Sequence, residues 1–458
     1  MIPRSLHLVG IGGAGMSGLA RLAAQAGYTV SGTDRDDSDV LRALREIGVD
    51  ARVGHAADAL PAGADAVVVS TAITADNPEV AAATARGIPV LHRADLLAEL
   101  MLARRGLAVA GAHGKSTTSA MLAQALGDAS VCIGATVPGG GGTGAIWGDG
   151  PWFVAEADES DRSLLKLAPE AAILLNVDHD HHTTYASLDE VEAVFREFVA
   201  RLPGTGVLVV GPDARARAVA RAAPCAVRVV GDVPDAFCTV SGAGEAAALV
   251  MSDGRHMALD LAVPGHHNQT NAACAVALAD WCGVDAATAV GRLRTFTGVG
   301  RRFEHRGTVG GVTIVDDYAH HPVEITATLS AARARHAGRI VVLFQPHLYS
   351  RTKALLRAFG EALAGADVVV VTDIYAAREA LDPSISGRDV ADAVPRSTDA
   401  RFIAGLDDAC DAIAPALRAG DLVLTIGAGD VTRAGQELIA RLQRRLGDGG
   451  DAHELDAP

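Results

Sequence analysis

Residues 106–118 constrain this chain more than any other stretch. An apolar run from Gly106 to Ala110 enters Gly111-Ala112-His113-Gly114-Lys115-Ser116-Thr117-Thr118, and Ser119 to Leu126 follows with helical character. A strand, a Gly-rich turn and a helix in that order make a phosphate cradle, because the N–H groups of the turn and the helix N-terminus face the anion. Lys115 then reaches the terminal phosphates and the Ser116 hydroxyl meets Mg²⁺. The longer G-x-x-x-x-G-K-[ST] spacing would put Gly at 109, where the chain has Val109, so only the shorter form matches. Lysine is scarce: Lys115, Lys166 and Lys353 are the only three against a Lys plus Arg total of 40. A drift toward arginine has spared the one position where a compact ammonium on a flexible stem matters most.

A second Gly-rich turn lies at the N-terminus. Ser5 to Val9 reads as a strand into Gly10-Ile11-Gly12-Gly13-Ala14-Gly15, with a helix over 16–26 and a second strand over 28–32 ending near Asp34. The pattern specifies a diphosphate on a helix N-terminus and an acidic partner for a sugar hydroxyl. A UDP-sugar meets that requirement as well as NAD does. Ser70 and Thr71 follow a buried strand at 66–70, the position at which open α/β sheets bind ligands, and Arg93 is placed to contact a phosphate or uracil. A helix over 95–104 closes this region.

Beyond the phosphate turn, residues 137–150 read as a Gly-rich loop, and a strand at 152–155 ends in Glu156-Ala157-Asp158-Glu159-Ser160-Asp161. Four carboxylates so close together call for cations, and a metal is the favoured one. The next strand, 172–175, ends in Asn176-Val177-Asp178-His179-Asp180-His181-His182, a set suited to Zn²⁺ or to Mg²⁺ with an imidazole ligand. Asn268 and Asn271, three apart ahead of a helix at 272–281, share a face and suit either an adenine edge or a helix cap. Arg301 and Arg302 resemble a phosphate clamp at a domain junction.

From 304 the α/β pattern restarts. Strands at 312–315, 340–344, 368–371 and 422–425 each end in a polar cluster, among them Asp317-Tyr318-Ala319-His320, His347-Leu348-Tyr349-Ser350-Arg351 and Thr372-Asp373-Ile374-Tyr375. Successive polar strand ends mark the binding face of a doubly wound sheet. The fold is therefore α/β with three domains: a Rossmann-like domain over 1–104, a central P-loop ATPase-type domain with a mainly parallel sheet over 105–303, and a doubly wound Rossmann-like domain over 304–446. A polar tail over 447–458 is expected to be disordered.

The net charge of −15 argues against nucleic acid and anionic membranes as partners. The six cysteines show no metal-ligand spacing and read as reduced core residues of a cytoplasmic protein, and no apolar stretch is long enough for a membrane span.

Taken in order, G-I-G-G-x-G-M, G-x-H-G-K-[ST]-T-T, E-A-D-E-S-D, N-x-x-x-D-H, H-N-x-x-N-A, G-R-R-F, D-D-Y-x-H-H-P, F-Q-P-H and G-A-G-D resemble the three-domain Mur ligases over nearly the whole chain. The resemblance implies ATP-dependent addition of L-alanine to the carboxylate of UDP-N-acetylmuramate through an acyl phosphate, by a monomer or homodimer. It implies catalytic roles for Lys115, Glu156, His181, His320 and Arg351. ATP would be held by Gly111, His113, Gly114, Lys115, Ser116, Thr117, Asn268, Asn271, Arg302 and Asp317. Mg²⁺, with Mn²⁺ as a substitute, would sit on Ser116, Glu156 and His181. Gly12, Gly13, Gly15, Met16, Asp34, Ser70, Thr71 and Arg93 would bind the UDP-sugar, and Tyr318, His320, His347 and Arg351 the amino acid. Ser116, Thr183 and Leu348 depart from the usual Thr, Asp and Arg. No lysine lies between Lys166 and Lys353, which excludes the carbamylated lysine of sister ligases and fits the alanine-adding branch. A ligase recycling a whole tripeptide is the nearest alternative, against which Ser160 stands where Tyr is expected; a non-catalytic nucleotide-binding regulator is the other. An NAD-dependent oxidoreductase leaves the Lys115, Glu156 and His181 clusters unexplained.

Overall fold

The computed structural model describes residues 4–137, 139–140, 142–180, 184–242, 244–377 and 379–450. The chain forms two compact units, one comprising the residues up to Asp180, Thr184–Ala262 and Asn268–Val299, the other Val263–His267 and Gly300 onward.

The first unit holds one parallel and one mainly parallel sheet. The N-terminal one has the spatial order Asp50–Val53, Thr29–Asp34, Ser5–Val9, Ala66–Val69, Val90–His92, all parallel. Chain order reverses at Ser5–Val9, so a crevice opens beyond its C-terminal end, where Gly10–Gly15 lies. The larger sheet runs Ala226–Val229, Val207–Val210, Ala171–Leu174, Arg105–Ala110, Trp152–Glu156, Ser130–Cys132, Ala145–Ile146. Its reversal falls at Arg105–Ala110, immediately before the phosphate turn. Both sheets are covered on two faces, which is why their central strands read as unbroken apolar runs such as the fully buried Ala171–Leu174. A small antiparallel sheet, Cys238–Ser241, Ala248–Met251 and His256–Ala258, completes this unit.

The second unit is built on the order Glu304–Val309, Val312–Asp317, Leu422–Ile426, Ile340–Phe344, Val368–Val371, Asp399–Phe402, parallel except for its first pair. Separate apolar clusters pack on its two faces, one around Phe344 and Phe359, the other around Leu343 and Leu438.

Three readings of the sequence are corrected. The span 137–150 is not loop throughout: Ala145–Ile146 pairs antiparallel with Ser130–Cys132. Gly144 serves close packing there, since a Cβ on it would collide with the carbonyl oxygens of Ile133 and Ala135. The helix read from 272 starts at His266, so Asn268 and Asn271 lie inside it, both buried, and neither is its cap. The final helix, Thr432–Gly450, runs past 447, where a disordered tail was expected to begin. Leu438 and Leu442 sink into the core and carry the helix through its polar last turns.

Candidate functional site

The helix Lys115–Leu126 starts directly at the phosphate turn, so Lys115 and Ser116 occupy its first turn. Gly114 caps it at φ +85°, a left-handed conformation that glycine adopts without strain. Asn176 ties the turn to the neighbouring strand end: its Oδ1 accepts from His113 N at 2.8 Å, its Nδ2 donates to His113 O at 3.0 Å, and its backbone oxygen accepts from Ala112 N at 3.2 Å. The Asn271 amide lies against Gly114, 3.1 Å from where a Cβ would stand. Thr117 is buried just below, and Asn268 lies on the same helix as Asn271.

The four acidic residues at 156–161 divide their work. Glu156 accepts from Ser116 Oγ at 3.0 Å and from Gly134 N at 2.8 Å. Glu159, buried, pairs with Lys115 Nζ at 2.9 Å. Asp158 and Asp161 take the Arg93 guanidinium at 2.9 and 3.4 Å. Lys115 and Arg93 thus pair with three of the four carboxylates, two positive charges facing three negative ones, while Glu156 faces the Ser116 hydroxyl. Burial pulls the Lys115 ammonium down, but Glu159, Glu156 and Asp158 outweigh it and its pKa lies above the usual lysine value. Burial raises the Asp158 carboxyl, yet Lys115, the Ser160 hydrogen bonds and Arg93 bring it to about 2. A phosphate cradle lined by a fixed ammonium, beside a hydroxyl and carboxylate pair of oxygen donors, suits a nucleotide polyphosphate with a hard divalent cation. His181 lies outside the described residues.

Arg93 also reaches the first turn, its Nη1 3.6 Å from where a Cβ on Gly15 would stand, so it links that turn to the acidic strand end at 158–161 within this unit. Asp34 is engaged by the turn itself, its Oδ2 accepting from Gly12 N at 2.8 Å. Met16 packs its side chain into the core, which leaves only its backbone to face a ligand. Ser70 and Thr71 lead into Ile73, whose side chain rests on Gly10.

In the second unit the predicted residues converge. Tyr318 and His320 meet edge to face at 5.4 Å, His320 and His347 lie 6.1 Å apart, and His347 stacks on Tyr375 at 5.7 Å. The Arg351 guanidinium, 3 % exposed, sits 3.2 Å from His347 Nδ1. Arg301 and Arg302 lie over the Tyr318 ring at 4.9 and 5.3 Å. Asp317 accepts from Ala319 N and Phe303 N, each at 2.8 Å; burial raises its pKa to about 6 against the opposing pull of Arg302 and those two N–H groups. Tyr375 and Asn176 were not anticipated as site residues. Both stand in polar strand-end clusters, so the signal was present, but the partner of each comes from a distant strand.

Two Gly-rich turns at sheet switch points, one holding a partly buried lysine, together with a sheet of the second unit bearing an aromatic and cationic cluster, define a multidomain α/β enzyme that handles nucleotides. Profiles of the Mur ligase family match in three blocks: "Mur ligase family, catalytic domain" at residues 5–105, "Mur ligase middle domain" at 151–279 and "Mur ligase, glutamate ligase domain" at 301–429. The chain belongs to the Mur ligase family and has its three-domain architecture. It is 48% identical to UDP-N-acetylmuramate–L-alanine ligase of Kineococcus radiotolerans, with 96% of each chain covered. To the ligase of the same name from Streptomyces avermitilis it is 45% identical, covering 96% of this chain and 97% of that one. Among solved structures, the UDP-N-acetylmuramate–alanine ligase of Thermotoga maritima superposes with a TM-score of 0.81 at 29% identity over 96% of this chain and 99% of that one. A murein peptide ligase from Psychrobacter arcticus gives 0.71 at 25% identity, with the same coverage.

Proposed function

We propose that this chain joins L-alanine to the carboxylate of UDP-N-acetylmuramate at the expense of ATP, forming UDP-N-acetylmuramoyl-L-alanine, ADP and phosphate in peptidoglycan precursor synthesis. The observation that carries this reading is near-full-length identity of 45% and 48% to ligases of that name. The site chemistry supports it. A substrate carboxylate oxygen attacks the γ-phosphorus and ADP leaves; the amine of L-alanine then attacks the acyl phosphate and inorganic phosphate leaves. The turn Gly111–Thr117 cradles the phosphates, and Lys115, already charged and fixed by Glu159, stabilises the charge that moves to ADP. Asn268 and Asn271 take the adenosine, with Arg302 and Asp317 contributing to nucleotide binding.

Ser116 and Glu156 would hold Mg²⁺, or Mn²⁺ in its place, with His181 as ligand of a second ion; their oxygen donors, 3.0 Å apart, fit a hard cation. A cation held by these residues would supply charge neutralisation for the nucleotide phosphates. Gly12, Gly13, Gly15 and the Met16 backbone serve the UDP diphosphate, with Asp34 fixing the turn and Ser70, Thr71 and Arg93 beside it. Tyr318, His320, His347 and Arg351 orient the amino acid. We place the reaction in the cytoplasm, carried out by a monomer or homodimer; among the described residues no helix is long and apolar enough to cross a membrane.

Phosphate release from ATP tests the reading, with UDP-N-acetylmuramate and Mg²⁺ present and L-alanine or the tripeptide added in separate wells. Release that needs both the nucleotide sugar and L-alanine is expected. Release with the tripeptide alone would transfer the chain to the recycling reaction, and bound ATP without turnover would make it a regulator.

A further inference from the structure

Glu79 lies in the first turn of the helix Pro78–Ala85 and is entirely shielded from solvent. Its carboxylate receives His7 Nε2 at 2.7 Å, His55 Nδ1 at 2.8 Å and the Thr33 hydroxyl at 2.8 Å. His7 and Ser31 are register partners across two adjacent strands, and Thr33 lies two residues further along the same face. His7 Nδ1 is 2.9 Å from Ser31 Oγ. A string of polar side chains therefore crosses a face of the sheet otherwise packed with Val9, Val67 and Ala83. Burying a carboxylate there is costly unless every lone pair is served, and this one accepts from three different segments.

The network ends at the first Gly-rich turn. The backbone oxygen of Thr33 accepts from both Gly10 N at 2.8 Å and Ile11 N at 2.9 Å. The next residue, Asp34, accepts from Gly12 N. Three successive N–H groups of the turn thus hang on two residues, and the side chain of the first is gripped by Glu79 and by His55, whose Nδ1 is 2.9 Å from Thr33 Oγ1.

We propose that Glu79 is a positioning residue for UDP-sugar binding: through Thr33 it fixes the height of Gly10–Gly12, and hence where the following N–H groups meet the diphosphate. The inference rests on the assignment of this turn to the UDP-sugar. Glu79 has no exposed surface and acts through Thr33. A plain core buttress would behave differently, because its loss lowers melting temperature and the folded fraction without changing the affinity of the folded molecules.

The test uses the full-length protein with Glu79→Gln, which turns an amide NH₂ toward donors, and Thr33→Val, which removes the relay hydroxyl. Calorimetric titrations with UDP, UDP-N-acetylmuramate and ATP are paired with kcat at saturating nucleotide sugar. Both variants are expected to weaken UDP and UDP-N-acetylmuramate about tenfold while ATP affinity and kcat stay within about twofold. Unchanged UDP affinity in the folded variants, or equal losses for UDP and ATP, overturns the proposal. If neither variant folds, His55→Asn at the partly exposed edge of the network carries the test: a selective loss of about threefold supports the proposal and none overturns it. A wild-type protein that binds no UDP ligand overturns the assignment of the turn as well, whereas wild-type binding matched by the variants overturns the role of Glu79 alone.

Discussion

Single residues show how burial redirects ordinary chemistry. Asp317, its carboxyl pushed up by burial to about 6 from the ordinary 3.8, is easier to keep in the fold when protonated. Its contribution to stability is fully present below pH about 4 and is lost as pH rises through about 6, a change of roughly 3 kcal/mol. Asp317→Asn should therefore gain stability relative to wild type as pH is raised from about 4 to 6, with no further gain above. Chemical denaturation across that range checks it, and a pH-independent difference would contradict the assignment. Lys115 is the opposite case: burial disfavours its ammonium, but Glu159, Glu156 and Asp158 outweigh that and favour the charged form.

Turns and helices are held at their ends by residues from elsewhere. Asn176 closes two side-chain hydrogen bonds on the phosphate turn from a neighbouring strand end. Removing them in Asn176→Ala should cost about 2 kcal/mol and raise the KM for ATP by about tenfold or more, with a smaller effect on the UDP-sugar; parallel KM measurements would show it. At the start of Tyr349–Ala354, Leu348 adopts φ +71° and ψ 132°, a conformation that favours glycine. It is kept there by Leu348 N donating to Tyr375 O at 2.9 Å and by Thr352 Oγ1 donating to Leu348 O at 2.7 Å. Leu348→Gly should relieve the strain and raise stability by a net of about 1 kcal/mol, after allowance for the greater freedom of the unfolded chain. A higher melting temperature is the expected result.

At the scale of the whole molecule, the second unit has its own sheet with an apolar cluster on each face. A fragment beginning at Gly300 should fold alone, melt cooperatively and neither bind ATP at the phosphate turn nor release phosphate; circular dichroism with thermal unfolding decides it. The sequence by itself determined the strand–turn–helix segments, both Gly-rich turns, the polar strand ends of 304–446 and the α/β class, because short-range sterics and hydrophobic patterning enforce each of them locally. It also carried the residues of the Tyr318, His320, His347 and Arg351 cluster, since each follows an apolar strand. What only the tertiary structure decided is which group each charge meets. Lys115 finds Glu159 44 residues away, Arg93 finds Asp158 65 residues away, and His7 finds Glu79 72 residues away. Those pairings depend on strand order and on which face of a sheet each side chain takes, and the local sequence does not specify the order of strands that meet only after folding.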